Sequence, residues 1–186
     1  MNSWSPPERV VLDDGTILRF LRPADAGAVA RAVDESMEHL APWMPWANEQ
    51  SADPAFQREP LAKQPQLAAR GEEWQYGLFP ADESRLLGSF GLMTRRGRGT
   101  LEIGYWLHVD ATGHGYATRA ARACTDIALT SPDVERVLIH VDEANSRSAA
   151  IPRRLGYRLA GVETRRPEAS GETGRESVWV FERGDA

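Results

Sequence analysis

The residues whose types and spacing point most directly to chemistry lie between Ile103 and Thr130. An apolar, aromatic stretch leads into Thr112-Gly113-His114-Gly115-Tyr116-Ala117 and then into an alanine-rich segment. Small or apolar residues at Ala117, Ala120, Ala121, Cys124, Ile127 and Ala128 recur at i, i+3, i+4 and i+7. That spacing predicts one face of a helix, with side chains small enough to let it lie close on a sheet. A strand, a glycine turn and a helix in this order gather unpaired backbone N–H groups and the positive end of a helix dipole at one point. Such a point suits an anion, most often a phosphate. The alternative is a connecting turn whose glycines supply positive φ and nothing more. Two phosphate motifs do not fit. A nucleotide P-loop needs Lys and Ser/Thr after its last glycine, and a dinucleotide fingerprint needs a third glycine where this chain has Thr118.

The elements that must position this unit are readable in order. Residues 1 to 9 read as a frayed tail. Asp13-Asp14-Gly15 is a turn signal, followed by a first strand over Thr16 to Arg22. Asp25 is placed to cap a helix running to about Leu40, which Pro42 and Pro45 end, holding Trp43 and Trp46 in a rigid corner. Pro60 and Pro65 predict two short helices or an irregular arm over residues 53 to 70. Trp74 to Phe79, Leu86 to Met93 and Thr100 to Val109 read as a three-stranded antiparallel meander. The Arg95–Gly99 loop joins its last two strands, its arginines reading either as an anion contact or as a solvated tip. Val137 to Val141 is nearly continuous in apolar residues apart from His140, as in a strand buried on both faces. A short helix over Asn145 to Leu155 is expected to end at a left-handed Gly156. Strands from Tyr157 and over Ser177 to Glu182 close the chain.

At 186 residues, with 41% hydrophobic and 26% charged residues, the chain has the composition of one globular domain, its core spanning about 16–182. The formal charge of −5 lacks the basic stripe of a nucleic-acid binder, so no nucleic-acid partner is expected. A single Cys124, on the apolar helix face, reads as a buried thiol and points to a reducing cytoplasm. No signal core and no run of membrane-spanning length is seen, and neither a membrane partner nor a metal is expected.

Taken together, the motifs resemble the GNAT N-acetyltransferases. Their acyl-coenzyme A turn reads Gln/Arg-x-x-Gly-x-Gly/Ala, matched here at Gly115 and Ala117, with Thr112 departing from the first position. A second block, Asn145-Ser146-Arg147-Ser148 through Gly156-Tyr157, is similar to the family's Asn-x-x-Ser/Ala…Gly-Phe/Tyr segment. Glu102 to Leu107 and Pro42-Trp43-Met44-Pro45-Trp46 look most like the branch of ribosomal-protein amino-terminal acetyltransferases. The resemblance spans roughly residues 16 to 181. It implies a mixed α/β (α+β) fold, a mostly antiparallel sheet of six or seven strands with helices on both faces. It also implies direct acetyl transfer from acetyl-CoA to a primary amine. The acceptor is either a protein N-terminus or a small amine such as an antibiotic or polyamine, and a homodimer stays open. The rival reading is a non-catalytic acyl-CoA sensor, prompted by Thr112 and by Pro152, which stands where many members carry an acid tyrosine.

For the site, the resemblance implies that Gly113, His114, Gly115, Tyr116, Ala117 and Thr118 hold the pyrophosphate. Main-chain groups of Tyr105, Trp106 and Leu107 align the pantetheine arm and polarise the carbonyl, and Asn145 bonds a pantetheine amide. Glu102 and His140 compete as general base, with Glu102 placed first. Their alternatives are a strand ion pair and a satisfied core histidine. Ser148 is the expected proton donor, with helix capping as its other reading. Trp43, Trp46 and Trp74 are candidate walls of the acceptor pocket, core packing being the alternative for each.

Overall fold

The structure, a computed structural model, describes residues 4–185. Thirteen elements follow one another: β1 (Arg9–Val11), β2 (Ile17–Phe20), α1 (Ala26–Glu35), α2 (Met37–Leu40), α3 (Pro54–Ala69), β3 (Glu73–Phe79), β4 (Gly88–Met93), β5 (Thr100–Leu107), α4 (Tyr116–Leu129), β6 (Arg136–Asp142), α5 (Ser146–Arg154), β7 (Arg158–Thr164) and β8 (Arg175–Glu182). The strands form one sheet in the order β1-β2-β3-β4-β5-β6-β8-β7. Every pairing is antiparallel except β5 with β6. Helices cover both faces, as expected. The sheet has eight strands among the described residues rather than six or seven. The added one is β1, three residues hairpinned to β2 through Asp13-Asp14-Gly15 and too short to show a period.

On one face α4 buries Ala117, Ala120, Ala121, Cys124, Ile127 and Ala128, the stripe read from the sequence, against Phe90, Ile103 and Ile139 of the sheet. Ala120, Ala121, Cys124 and Ala128 are fully buried, so no side chain holds the helix away from the strands. On the other face Val29 and Val33 of α1, Leu40 of α2 and Leu61 of α3 pack with Leu21, Phe79, Leu86 and Trp106.

Three local expectations are corrected. Residues 54–69 form one helix despite Pro60 and Pro65. Both prolines are exposed, as is Phe56, whose carbonyl Pro60 leaves unpaired, while Pro54 at the first turn and an Asp53 cap (Ala55 N–H to Oδ1, 2.8 Å) start it well. The helix predicted to reach Leu40 breaks at Ser36, whose hydroxyl instead accepts from Val109 N–H at 3.0 Å. The tail reading fails for residues 4–9; residues 1–3 lie outside the described residues. Trp4 meets Trp74 edge-on, ring centroids 5.2 Å apart, and donates to Thr130 at 3.0 Å, while Tyr76 Oη donates to the Pro7 carbonyl at 2.7 Å.

Candidate active site

The parallel pair sets the site. β5 and β6 pair only from Thr100–Arg136 to Glu102–Leu138. Beyond that, Ile103–Leu107 have no partner on the β6 side, so their N–H and C=O groups there remain available. Two cavities open around this split, of about 830 and about 620 Å³, both in the range of small-ligand sites. They share Trp43, Met44, Tyr105, Trp106, Asn145 and Ser148 as lining.

The larger cavity contains the glycine turn. Gly115 caps α4 in the left-handed region (φ 77°), with no side-chain cap, so the first-turn N–H groups of Tyr116, Ala117 and Thr118 face outward unpaired. Gly113 is left-handed as well (φ 81°). Arg147 and Arg154 add positive charge to the wall. Unpaired amides, a 14-residue helix dipole and two guanidiniums fit a phosphorylated cofactor, and the free edge of Tyr105–Leu107 fits an amide-bearing arm. His114, expected at the cofactor, does not line this cavity: it is exposed, its ring lies 5.8 Å from that of Tyr116, and its carbonyl accepts from Arg119 at 2.9 Å. Thr112 turns its hydroxyl to the Val109 carbonyl (2.8 Å), closing the short helical turn before the glycines.

The smaller cavity is walled by the aromatic corner of Trp43 and Trp46, Trp46 packing on Trp106 at 5.9 Å. Trp74 is not part of it. Glu73 and Gln75 face the cavity, so strand alternation sends Trp74 to the opposite face, where it is buried under Trp4. Opposite the corner, residues 165–174 form a strap whose shape is held by two carboxylates. Glu172 pairs with Arg165 and accepts from the N–H groups of Glu168 and Ala169. Asp142 accepts from Thr173 N–H, Thr173 Oγ1, Gly174 N–H and Ala144 N–H at 2.9–3.0 Å. Burial alone would raise the Asp142 pKa, but those bonds hold it below the usual carboxylate range. The strap reaches the corner where Gly171 N–H donates to the Pro42 carbonyl at 2.8 Å, an approach with no room for a Cβ.

Glu102 and His140 both line this cavity and are both buried. Arg96 Nε donates to Glu102 at 2.7 Å and Arg95 Nε at 3.0 Å, with a second Arg95 nitrogen on the other oxygen. Arg95 and Arg96 therefore turn to Glu102, an outcome beside the two expected ones, while Arg98 stays exposed at the loop tip. Burial opposes ionisation of Glu102, but the two guanidiniums prevail and lower its pKa. His140 Nδ1 lies 3.6 Å from Glu102 Oε1, too far for a hydrogen bond, and has no other partner. Burial lowers the His140 pKa from 6.5, opposed by the Glu102 charge and reinforced by Arg96.

Ser148 sits where the cavities meet. It does not cap α5. Asn145 does, its Oδ1 accepting from Ser148 N–H at 3.1 Å, which leaves the Asn145 amide nitrogen for the cavities. Ser148 Oγ donates to Tyr105 Oη at 3.2 Å.

An unpaired helix-start cradle, a sheet split after a short parallel pairing, and a hydroxyl at the junction of two cavities fit what the resemblance implies. The model of the Acetyltransferase (GNAT) domain matches residues 16–158. The chain belongs to the GNAT acetyltransferase family. A curated relative, the Bacillus subtilis (strain 168) protein YdaF, whose name ascribes it ribosomal N-acetyltransferase activity, is 28% identical over 149 residues, 75% of this chain and 76% of that protein. The solved ribosomal-protein-S5-alanine acetyltransferase of Vibrio fischeri superposes with a TM-score of 0.85 at 19% identity, covering 95% of this chain and 97% of that one. Mycobacterium smegmatis RimJ, solved with a CoA-disulfide, gives 0.83 at 22% identity over 97% and 88%. These two structures share the fold with this acetyltransferase.

Sequence reasoning missed the Tyr105 hydroxyl, the inward turn of Arg95 and Arg96, the cationic wall of Arg147 and Arg154, and the Asp142 clamp. The Tyr105 and Asp142 contacts join elements distant in the chain, whereas the arginines fold back on Glu102 within one hairpin. The one local signal was the pair of arginines just beyond the strand that faces Glu102.

Proposed function

We propose that this acetyltransferase transfers acetyl from acetyl-CoA to the α-amino group of a protein. The junction of two cavities at Ser148, Asn145 and Tyr105 carries the reading, one cavity suiting a phosphorylated donor and the other an amine. When bound, acetyl-CoA supplies an acetyl thioester, which an amine can attack without a covalent enzyme intermediate. The chain's residues do the rest. Backbone N–H groups of Tyr116 to Thr118 and the guanidiniums of Arg147 and Arg154 hold the phosphates. The unpaired edge of Tyr105–Leu107 and the Asn145 amide align the arm and polarise the carbonyl. His140, neutral near pH 7, takes the amine's proton, and the Glu102 carboxylate, held by Arg95 and Arg96, stabilises the imidazolium that results. Ser148 Oγ donates a proton to the leaving sulfur and is reprotonated, through solvent, by the second proton that the acylated nitrogen sheds. The sensor alternative rests on Thr112 and on Pro152 in place of an acid tyrosine, and in this reading the Ser148 hydroxyl, at the junction of the cavities, takes that tyrosine's role.

Six carboxylates against four guanidiniums line the acceptor cavity, which suits a cationic amine. The relatives named for ribosomal-protein acetylation support a protein acceptor. The experiment is a thiol-release assay of N-terminal peptides against small amines. Peptides should give the higher kcat/KM, and turnover confined to polyamines or aminoglycosides would sink the protein-acceptor reading. The free, buried Cys124 supports placement in the cytoplasm, to be checked by cell fractionation.

The finer partner we propose is a second copy at β7, the last strand of the sheet, exposed along all seven residues. A bulge between Leu159 and Gly161 sets Leu159 and Val162, 48% and 38% exposed, on one face. Antiparallel pairing about a two-fold between Ala160 and Gly161 opposes Leu159 to Val162 and Arg158 to Glu163, each twice. Light scattering should show a dimer that Leu159→Lys with Val162→Lys makes monomeric; a wild-type monomer at high concentration would refute it.

A further inference from the structure

The proline in α5 has a structural consequence inside the site. Pro152 has no N–H, so the carbonyl four residues earlier, that of Ser148, loses its helical partner. An orphaned, partly buried carbonyl needs a donor. The Tyr105 hydroxyl supplies it at 3.2 Å and at the same time accepts from Ser148 Oγ at 3.2 Å. Both polar atoms of Ser148 that project from the helix start are thus gripped by one phenol from the neighbouring strand. The ring is itself fixed by stacking on Phe90, centroids 5.7 Å apart with planes at 27°. Burial pushes the Tyr105 pKa up, only partly offset by the Ser148 bond, so the phenol stays protonated through the neutral range.

We infer that Tyr105 is a positioning residue for the reaction: by bonding the Ser148 carbonyl that Pro152 frees, its hydroxyl fixes Ser148 Oγ at the junction of the two cavities. The inference rests on the reading of Ser148 as proton donor. A free serine hydroxyl rotates among three staggered positions. With its proton directed to Tyr105 Oη, Ser148 is held in one rotamer until a stronger acceptor, such as a developing thiolate, draws the proton away. Tyr105 exchanges no proton with the substrate in this scheme, and no bond to Tyr105 forms or breaks. A tyrosine at the Ser148-plus-four position would instead leave the helix bond intact and give Tyr105 no carbonyl to hold. Pro152 and the Tyr105 hydroxyl therefore work as a pair.

Stability and rate should separate across four variants. Tyr105→Phe orphans the Ser148 carbonyl and is expected to lower Tm by roughly 3–8 °C and kcat by about 10-fold, with the affinity for CoA, read by calorimetry, unchanged. Ser148→Ala is expected to lower kcat by about 10²-fold, in the range of lost proton transfer, and Tyr105→Phe with Ser148→Ala should be no slower than Ser148→Ala alone. Adding Pro152→Ala to Tyr105→Phe returns an N–H to the Ser148 carbonyl. It should recover Tm while kcat stays low, because nothing then holds Oγ. Recovery of kcat together with Tm would show that Tyr105 acts only on stability and would overturn the inference. So would a wild-type kcat in Tyr105→Phe when Ser148→Ala is slow. A fast Ser148→Ala enzyme is a different failure, removing the donor assignment itself and the inference that stands on it.

Discussion

Gly115→Val is expected to weaken coenzyme A binding by about 10²-fold or more while the protein still folds. Gly115 adopts φ 77°, where a β-branched residue is strained, at a cost of about 1–3 kcal/mol. That is tolerable within a stability of about 5–15 kcal/mol. The loss of binding has a separate cause. A Cβ at 115 lies 2.8 Å from a terminal nitrogen of Arg119, so that guanidinium must shift. Its guanidinium is fixed by Asp14 at 2.6 Å and the His114 carbonyl at 2.9 Å, and lies 5.2 Å from the centre of the Tyr116 ring. That shift loosens the Arg119 bond to the His114 carbonyl, within the turn that aims the first-turn N–H groups of α4. Gly15→Val is the matched control: the same left-handed strain at φ 81°, with open space around the added Cβ and no place in the cofactor cavity. Calorimetry with coenzyme A reads both. Equal, wild-type affinities in the two variants would eliminate the cradle.

His140→Ala is expected to lower kcat/KM by about 10²-fold or more, the scale of general-base catalysis, and Glu102→Gln by only a few-fold at pH 8. This reverses the order taken from the sequence. Guanidinium nitrogens sit on both Glu102 oxygens and its pKa is lowered, so it is a weak base. The His140 Nδ1 has no hydrogen-bond partner among the described residues. The pH profile carries the sign. A protonated imidazole cannot accept the amine's proton, so activity is lost as pH falls through the His140 pKa and is level above it. Burial and Arg96 lower that pKa, while Glu102, Glu176 and Glu163 raise it, the net being below 6.5. The acid limb of kcat/KM should then lie below 6.5, and Glu102→Gln, by removing a raising charge, should move it lower still. A large loss in Glu102→Gln with a small one in His140→Ala would return the base to Glu102. Small losses in both would mean that bulk water deprotonates the amine.

The glycine turn and the helix behind it were legible because their causes are local. Gly113 and Gly115 are required by positive φ within four residues. The stripe from Ala117 to Ala128 is a 3.6-residue period that any sheet-packed helix shows, and Gly156, left-handed at φ 86°, ends α5 for the same kind of reason. The family resemblance added the donor and the role of the Asn145 block, which no period encodes. The sequence left open whatever depends on which face a residue meets or what reaches it from afar. Trp43, Trp46 and Trp74 are alike as residue types, but strand alternation sends Trp74 to the other side of the sheet. Pro60 and Pro65 look like helix breakers, and the water-facing side of α3 makes them tolerable. Glu102 was a base or an ion pair until Arg95 and Arg96 folded back across the hairpin. Pro152 read as a missing acid; only packing α5 against β5, which brings Tyr105 to Ser148 across 43 residues of chain, shows what the proline leaves room for. Backbone conformation and periodicity are set by neighbours in the chain, whereas the protonation and orientation of catalytic groups are set by neighbours in space.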